Sequence, residues 1–340
     1  MNLRYIRPMS QHLQHSKQIN LPYGFLTPAA QALYRALNHK EATTRLVGGC
    51  VRDAVLGLTP YDLDFATTLT PENATKALQQ AGFKVEATGI DHGTVMAIKE
   101  QETFEVTTLR RDAQTDGRHA TVAFSSDFRE DAARRDFTFN ALYMDNTGHI
   151  TDYFAGLEDL NKGRVRFVGE PSQRLAEDWL RALRYVRFYG RFGDTPPDHD
   201  TFAALADAAP KLQNLSAERI TTEVLKTIVT PKAAQTLALM DELGYFTALG
   251  LPAFSVAQVN TYLRDYPQTT DPLILLMAGV WQTPYASLQN PVPNPLIDIP
   301  HLRFSKKQQK ILNALAPSNA TKLRAENIPY SCWALGSQVA

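Results

Sequence analysis

The chain has little cysteine, no long apolar run and no excess of charge of either sign. Cys50 and Cys332 are its only cysteines. Two thiols so far apart exclude a disulfide-built scaffold and a structural zinc site, and they suit a reducing compartment, so a cytoplasmic enzyme is expected. The most apolar stretch, residues 272–281, is shorter than the roughly 20 residues a membrane span needs. A buried helix is expected there, and no membrane partner. Residues 1–20 hold Arg4, Arg7 and Lys17 among Gln and His without an apolar core, so they read as a loose arm rather than a secretory signal. Lys plus Arg equals Asp plus Glu at 35 each, so the molecule exerts no global pull on polyanions. Any contact with nucleic acid has to come from local clusters.

What is present is ordinary in bulk and distinctive in order. The 340 residues, 44% hydrophobic and 21% charged, can bury a sizeable core and build roughly two or three domains. Between residues 44 and 150, short β-branched or aromatic runs (44–47, 84–87, 94–98, 104–109 and 141–144) alternate with helical patterns. Thr70 followed by Pro71 predicts a capped helix start. After Pro171 strand signals fade and the chain becomes Leu- and Ala-rich at helical spacing. The expected class is α+β, a mixed α/β head followed by an all-helical region.

The chemistry-bearing residues follow this order. A strand ending in Gly48-Gly49 and running into a helix leaves free N–H groups at the helix start, where glycine lets a phosphate approach the backbone. Arg52 in the first helical turn can reach the same anion. A bare tight turn with a solvated Arg52 is the plainer reading, and the acidic pair that follows weighs against it. Asp62 and Asp64, one residue apart on a strand, project to the same side and form a place for divalent cations. Pro60-Tyr61 before them suits a turn, yet a turn does not require both carboxylates. In phosphoryl transfer such carboxylates hold cations that activate the attacking oxygen and neutralise the leaving group. Glu105 is the expected third acid, sharing a polar strand face with Thr103 and Thr107.

Residues 110–136 mix arginines with acids, a pattern usual for solvated surface, although Asp116-Gly117-Arg118-His119 gives the segment the turn chemistry of a long active-site excursion. His92 and His119 are assigned no catalysis. Farther on, Leu175, Trp179, Ala182, Val186 and Tyr189 predict one apolar helical stripe, with Asp178, Arg181, Arg184, Arg187 and Arg191 on other faces. An Asp178–Arg181 surface pair is the bland use of this spacing. A more specific one is base selection. Cytosine and adenine both offer an exocyclic amine beside a ring-nitrogen acceptor, which an Asp acceptor and an Arg donor can meet edge-on. Uracil and guanine would leave those groups facing like partners.

Residues 46–53 with 62–64, then 134–142, then 177–184, resemble the ordered motifs of the class II tRNA nucleotidyltransferases, the CCA-adding enzymes, which bacterial poly(A) polymerases share. The resemblance runs from about residue 24 to 192, and residues 216–220 look like a fifth motif. It implies a nucleotidyltransferase head on helical neck and body: an arm at 1–23, the head at 24–165, a nucleotide-selecting neck at 166–250 and a body at 251–340. Family members usually run longer than this chain, a departure that leads to the expectation of a short or absent tail. It implies Mg²⁺ on Asp62 and Asp64 with Glu105 nearby, and triphosphate contacts from Gly48, Gly49 and Arg52. Arg135 and Asp136 would position phosphate and ribose; Asp178 and Arg181 would read the base, supported by Arg184 and Arg187. The family's flexible loop falls at about 110–124 and its hinge-like segment at 152–156. The implied activity is addition of C and A to the 3′ end of tRNA from CTP and ATP. Alternatives are a poly(A) polymerase, from which the absent Lys/Arg-rich tail leans away, and an enzyme adding only CC or only A. A non-catalytic RNA-binding module has no use for clustered acids beside RNA phosphates, and a dinucleotide-binding oxidoreductase lacks its spaced glycines.

Overall fold

The computed structural model describes residues 15–22, 24–38, 43–89, 93–112, 122–251, 254–265, 271–272, 275–276, 279 and 301–314. They divide into a first unit, up to Lys162 together with Arg166–Gly169, and a second, Gly163–Val165 with the residues from Glu170 onward.

The first unit runs β1 (His15–Gln18), α1 (Pro28–Leu37), β2 (Thr44–Val47), α2 (Gly49–Val55), β3 (Asp64–Thr67), α3 (Pro71–Gln80), β4 (Lys84–Gly89), β5 (Thr94–Lys99) and β6 (Glu102–Thr108). It continues through β7 (Arg110–Asp112), β8 (Val122–Phe124), α4 (Phe128–Ala133), β9 (Leu142–Met144), β10 (His149–Asp152) and α5 (Gly156–Asn161). Eight of the described strands form one sheet in the order β1-β10-β9-β2-β3-β6-β5-β4, and β7 pairs with β8. β3 and β6 run parallel, and the other neighbours in the large sheet are antiparallel.

Side-chain alternation sorts the two faces of this sheet. Phe104 and Val106 of β6 are buried, whereas Thr103 and Glu105, which alternate with them, are exposed. Tyr34 of α1 meets Phe65 of β3 edge-on at 5.3 Å, and Phe65 meets Phe104 at 6.0 Å, so this face carries α1 and the aromatic core. The opposite face holds a second cluster, Val47, Ala66, Phe128, Ala132, Ala141 and Tyr143 among others. α3 starts where expected, with Thr70 capping it through the Asn73 N–H (3.4 Å), and Thr27 caps α1 in the same way through the Ala30 N–H (3.1 Å), each just before a proline.

The second unit is helical among the described residues: α6 (Pro171–Glu177), α7 (Leu180–Phe192), α8 (His199–Ala208), α9 (Ala217–Ile228), α10 (Ala233–Glu242), α11 (Tyr245–Ala248) and α12 (Val256–Asp265), with a further helix at Lys306–Ala314. α7 packs on α9 and α10, and its Ala182, Tyr185, Val186 and Tyr189 are buried.

Two expectations need correction. Part of the expected arm, His15–Gln18, is an edge strand paired with β10. The single helix expected across Leu175 and Tyr189 is two, because Asp178 is extended (φ −155°, ψ 105°) and breaks the chain between α6 and α7. Its Oδ1 accepts the Leu180 N–H at 3.1 Å, a local bond that competes with helix continuation. Trp179 is consequently half-buried rather than in the apolar stripe. Of the apolar stretch at 272–281, Leu275 and Leu276 are helical and buried, and Trp281 lies outside the described residues. Among the described residues no helix is long and apolar enough to cross a membrane.

Gly190 sits where α7 meets α10, and a methyl group there would overlap the Thr230 and Thr236 hydroxyls. Gly190→Ala should therefore destabilise the protein by about 1–3 kcal/mol, read as a lower urea midpoint; an unchanged midpoint would contradict the packing.

Candidate functional site

The site in the first unit is assembled by strand register. β3 lies parallel to β6 with Asp64 opposite Glu105, so both carboxylates leave the same face of the sheet. β2 lies antiparallel to β3 on its other side, with Leu46 opposite Phe65. The turn that follows β2 thus falls beside the start of β3. Gly48 forms that turn with φ 76° and ψ −124°, a backbone conformation open to glycine alone at little cost. Asp62 is not on the strand: it lies in an exposed bend just before Asp64, so period-two alternation does not explain the pair.

Electrostatics mark Asp64 as the centre of the cluster. Its carboxyl is pushed up from the ordinary 3.8 to about 7, first by burial, then by the Asp62 and Glu105 charges, with Arg135 pulling the other way. The acids are therefore close enough to repel. Among the described residues, however, no three His, Cys, Asp or Glu side chains converge to enclose a metal ion. Glu105 lies opposite Asp64 with its side chain exposed on the strand. A pair of aspartates with open positions is the donor set that Mg²⁺ accepts, since it is commonly held by one or two carboxylates, water and substrate phosphate.

Positive charge reaches this cluster from Arg135. The Nη1 atom of Arg135 would lie 3.4 Å from a Cβ at Gly48. Arg52 is nearly buried beneath the turn instead of reaching outward: its Nη2 pairs with Asp53 at 2.8 Å and its Nη1 donates to Asn140 Oδ1 at 2.8 Å. Asn140 Nδ2 in turn donates to Asp136 Oδ1 at 3.0 Å, and that oxygen also accepts the Phe137 N–H at 2.9 Å. Arg52 and Asp136 are thus linked through Asn140, which the motif reading did not single out. Cys50 is buried below them, its thiol 3.3 Å from the Val47 carbonyl and 3.8 Å from that of Asp64, and burial pushes it up to about 12.

The expected excursion begins and ends in the β7–β8 pair, with Arg110 opposite Phe124. His92 and the tip, including Asp116, Arg118 and His119, lie outside the described residues. At the expected hinge, the fully buried Asp152 carboxylate accepts the N–H groups of Phe154 (3.1 Å), Gly156 (3.0 Å) and Leu157 (2.9 Å). Ala155 is held there in the left-handed region, at φ 60°.

In the second unit, Asp178 and Arg181 each have a different protein partner. Asp178 Oδ2 accepts from Arg219 of α9 at 2.7 Å, and Arg181 Nη1 donates to Glu177 at 2.5 Å and to the Arg174 carbonyl at 3.0 Å. Arg187 donates to Glu223 of α9 at 2.7 Å and lies over the Phe188 ring at 4.4 Å; Arg184 lies 5.5 Å from the same ring. Arg219 lies in the motif at 216–220, but no spacing or periodicity in the sequence distinguishes it or Glu223.

A paired aspartate beside a glycine turn and an arginine offers the oxygen donors that a divalent cation takes and the positive charge that a polyphosphate takes. Residues 44–166 match the family model of the "Poly A polymerase head domain", and residues 197–256 match the "Probable RNA and SrmB- binding site of polymerase A". The CCA tRNA nucleotidyltransferase 1, mitochondrial, of Danio rerio is 48% identical over 69% of this chain and 56% of its own length. The CCA-adding enzyme of Enterococcus faecalis is 40% identical over 59% of this chain and 48% of its own. The crystal structure of the Bacillus stearothermophilus CCA-adding enzyme in complex with CTP superposes with a TM-score of 0.65 at 31% identity, covering 85% of this chain and 70% of that one. The chain belongs to the family of CCA-adding tRNA nucleotidyltransferases and poly(A) polymerases. It spans about half the length of the curated relatives it matches.

Asp64 also makes the stability of the protein depend on pH. Its folded-state value lies above the ordinary one, so the stability it contributes is full below about 4 and is lost as pH rises through about 7. In metal-free buffer Asp64→Asn should melt above the parent at pH 8, with the gap closing towards pH 4; an equal gap at both values would show that Asp64 is not crowded.

Proposed function

We propose that this protein adds C and A residues to the 3′ end of tRNA from CTP and ATP, releasing pyrophosphate. The observation behind the reading is Asp64, crowded by Asp62 and Glu105 beside the Gly48 turn and Arg135, in a chain of this family. Asp62 and Asp64 would hold Mg²⁺, which supplies charge neutralisation at the phosphates and lowers the proton affinity of the attacking 3′-hydroxyl. The Gly48 turn admits the triphosphate to the backbone, and Arg135 Nη1 meets its charge. Arg52, Asn140 and Asp136 brace the turn from below and place Asp136 for the ribose. Asp178 and Arg181 would present acceptor and donor to the base edge, exchanging their contacts with Arg219 and Glu177 for contacts with cytosine or adenine. Arg187 supports α7 against α9 through Glu223, and Arg184 lies over Phe188 of the same helix. The head at 24–165, neck at 166–250 and body at 251–340 belong to the same proposal, as does a cytoplasmic setting; the designation of the Danio rerio relative is mitochondrial.

The decisive test incubates tRNA lacking its 3′ end with Mg²⁺ and each nucleotide singly and together, then sequences the products. Addition that stops at CCA supports the reading, whereas a long adenylate tract would assign the chain to the poly(A) polymerase branch. Asp64→Ala should abolish incorporation, by at least about a thousandfold, while retaining the parent's circular dichroism; substantial activity in the folded variant would count against the metal role. Arg181→Ala should relax discrimination against UTP and GTP relative to CTP and ATP, and unchanged nucleotide ratios would remove it from base selection. Mg²⁺ should raise the melting temperature of the parent at pH 8 and leave Asp64→Asn unmoved.

A further inference from the structure

Arg135 is gripped by a buried carboxylate that the proposed reaction does not use. Asp131 of α4 is 1% exposed. Its Oδ2 accepts from Arg135 Nε at 3.2 Å, from Arg135 Nη2 at 3.0 Å and from the Tyr143 hydroxyl at 2.6 Å. Its Oδ1 accepts from Arg134 Nε at 2.8 Å, from Arg134 Nη2 at 2.6 Å and from the Arg110 N–H at 3.4 Å. A guanidinium is a rigid planar fork, so fixing Nε and Nη2 also fixes where Nη1 points. That remaining nitrogen is the one beside Gly48.

The clamp is anchored to the same strands that build the turn. Tyr143 is paired with Val47, the residue before Gly48, and the Gly48 N–H donates to the Leu142 carbonyl at 3.1 Å. Phe128 meets the Tyr143 ring edge-on at 5.1 Å and keeps its hydroxyl aimed at Asp131. Asp131 is shared between two guanidiniums, so the clamp orients Arg135 without pairing with it alone. Burial alone would raise the Asp131 carboxyl, but Arg135 and Arg134 outweigh it and hold the group below the usual carboxylate range, ionised at neutral pH.

We propose that Asp131 and Tyr143 are positioning residues which pre-set Arg135 so that its Nη1 faces the triphosphate over the Gly48 turn. The inference rests on the reading of Arg135 as a phosphate contact. An arginine already clamped loses little side-chain freedom when the ligand arrives, so the benefit appears in ground-state affinity.

The test measures binding of inorganic tripolyphosphate to the full chain by calorimetry, with CTP incorporation into tRNA lacking its 3′ end assayed in parallel. Tyr143→Phe keeps the ring and its packing while deleting the hydroxyl. It should weaken tripolyphosphate about three- to tenfold and raise the KM for CTP more than it lowers kcat. Asp131→Asn should weaken it further; should that variant fail to fold, Tyr143→Phe decides. In an Arg135→Lys background Tyr143→Phe should have no further effect on tripolyphosphate affinity. Parental tripolyphosphate affinity in folded Tyr143→Phe would overturn the proposal. An effect that persists in full after Arg135→Lys would overturn it too, because Tyr143 would then act on the fold at large. A parent that binds no tripolyphosphate has no such contact to position. Failure of the parent to extend tRNA refutes the reaction alone, since the coupling in tripolyphosphate binding is measured without it.

Discussion

Negative charges at one end of a sheet repel one another, and the first unit is organised around holding them together. The parallel register of β3 and β6 sets Asp64 against Glu105, and the bend before β3 adds Asp62. Nothing in hydrophobic burial favours that arrangement; the aromatic core on the opposite face stabilises the strands that impose it. The cost shows in the raised Asp64 carboxyl, and a bound cation would relieve it. Crowded acids next to clamped arginine form a preorganised polar environment, ready before substrate arrives.

The second unit solves a different problem, which is to keep polar groups on a helix start without losing them to solvent. Asp178 ends one helix and tethers the next, and α9 returns a cation to it through Arg219 and an anion to Arg187 through Glu223. These contacts preserve acceptor and donor character along α7. Under the proposed function they would also set a threshold for a base, which would have to match the partners it displaces.

Much of the head was legible because its signals are local. Alternation in residues 103–107 located Glu105 on the polar face, Thr70 and Pro71 marked a helix start, and Gly48 marked a turn only glycine makes easily. Asp62 was harder, because its place depends on where β3 begins rather than on spacing. The break at Asp178 was hidden by good helical spacing on both sides, with no glycine or proline to announce it; the one cue was an aspartate's taste for capping a nearby N–H. Asp131, Asn140 and Tyr143 were invisible as a group, since their link to Arg135 and Arg52 exists only once β9 lies beside β2.

One small group acquires meaning from where it sits. The Cys50 sulfur is wedged between the carbonyls of Val47 and Asp64, walled off from water and held as a neutral thiol. Alkylating reagents attack thiolates, so this sulfur stays silent while the floor of the site is closed. Its slow labelling would then count the moments at which β2, α2 and β3 part, turning one inert atom into a clock for the breathing of the site.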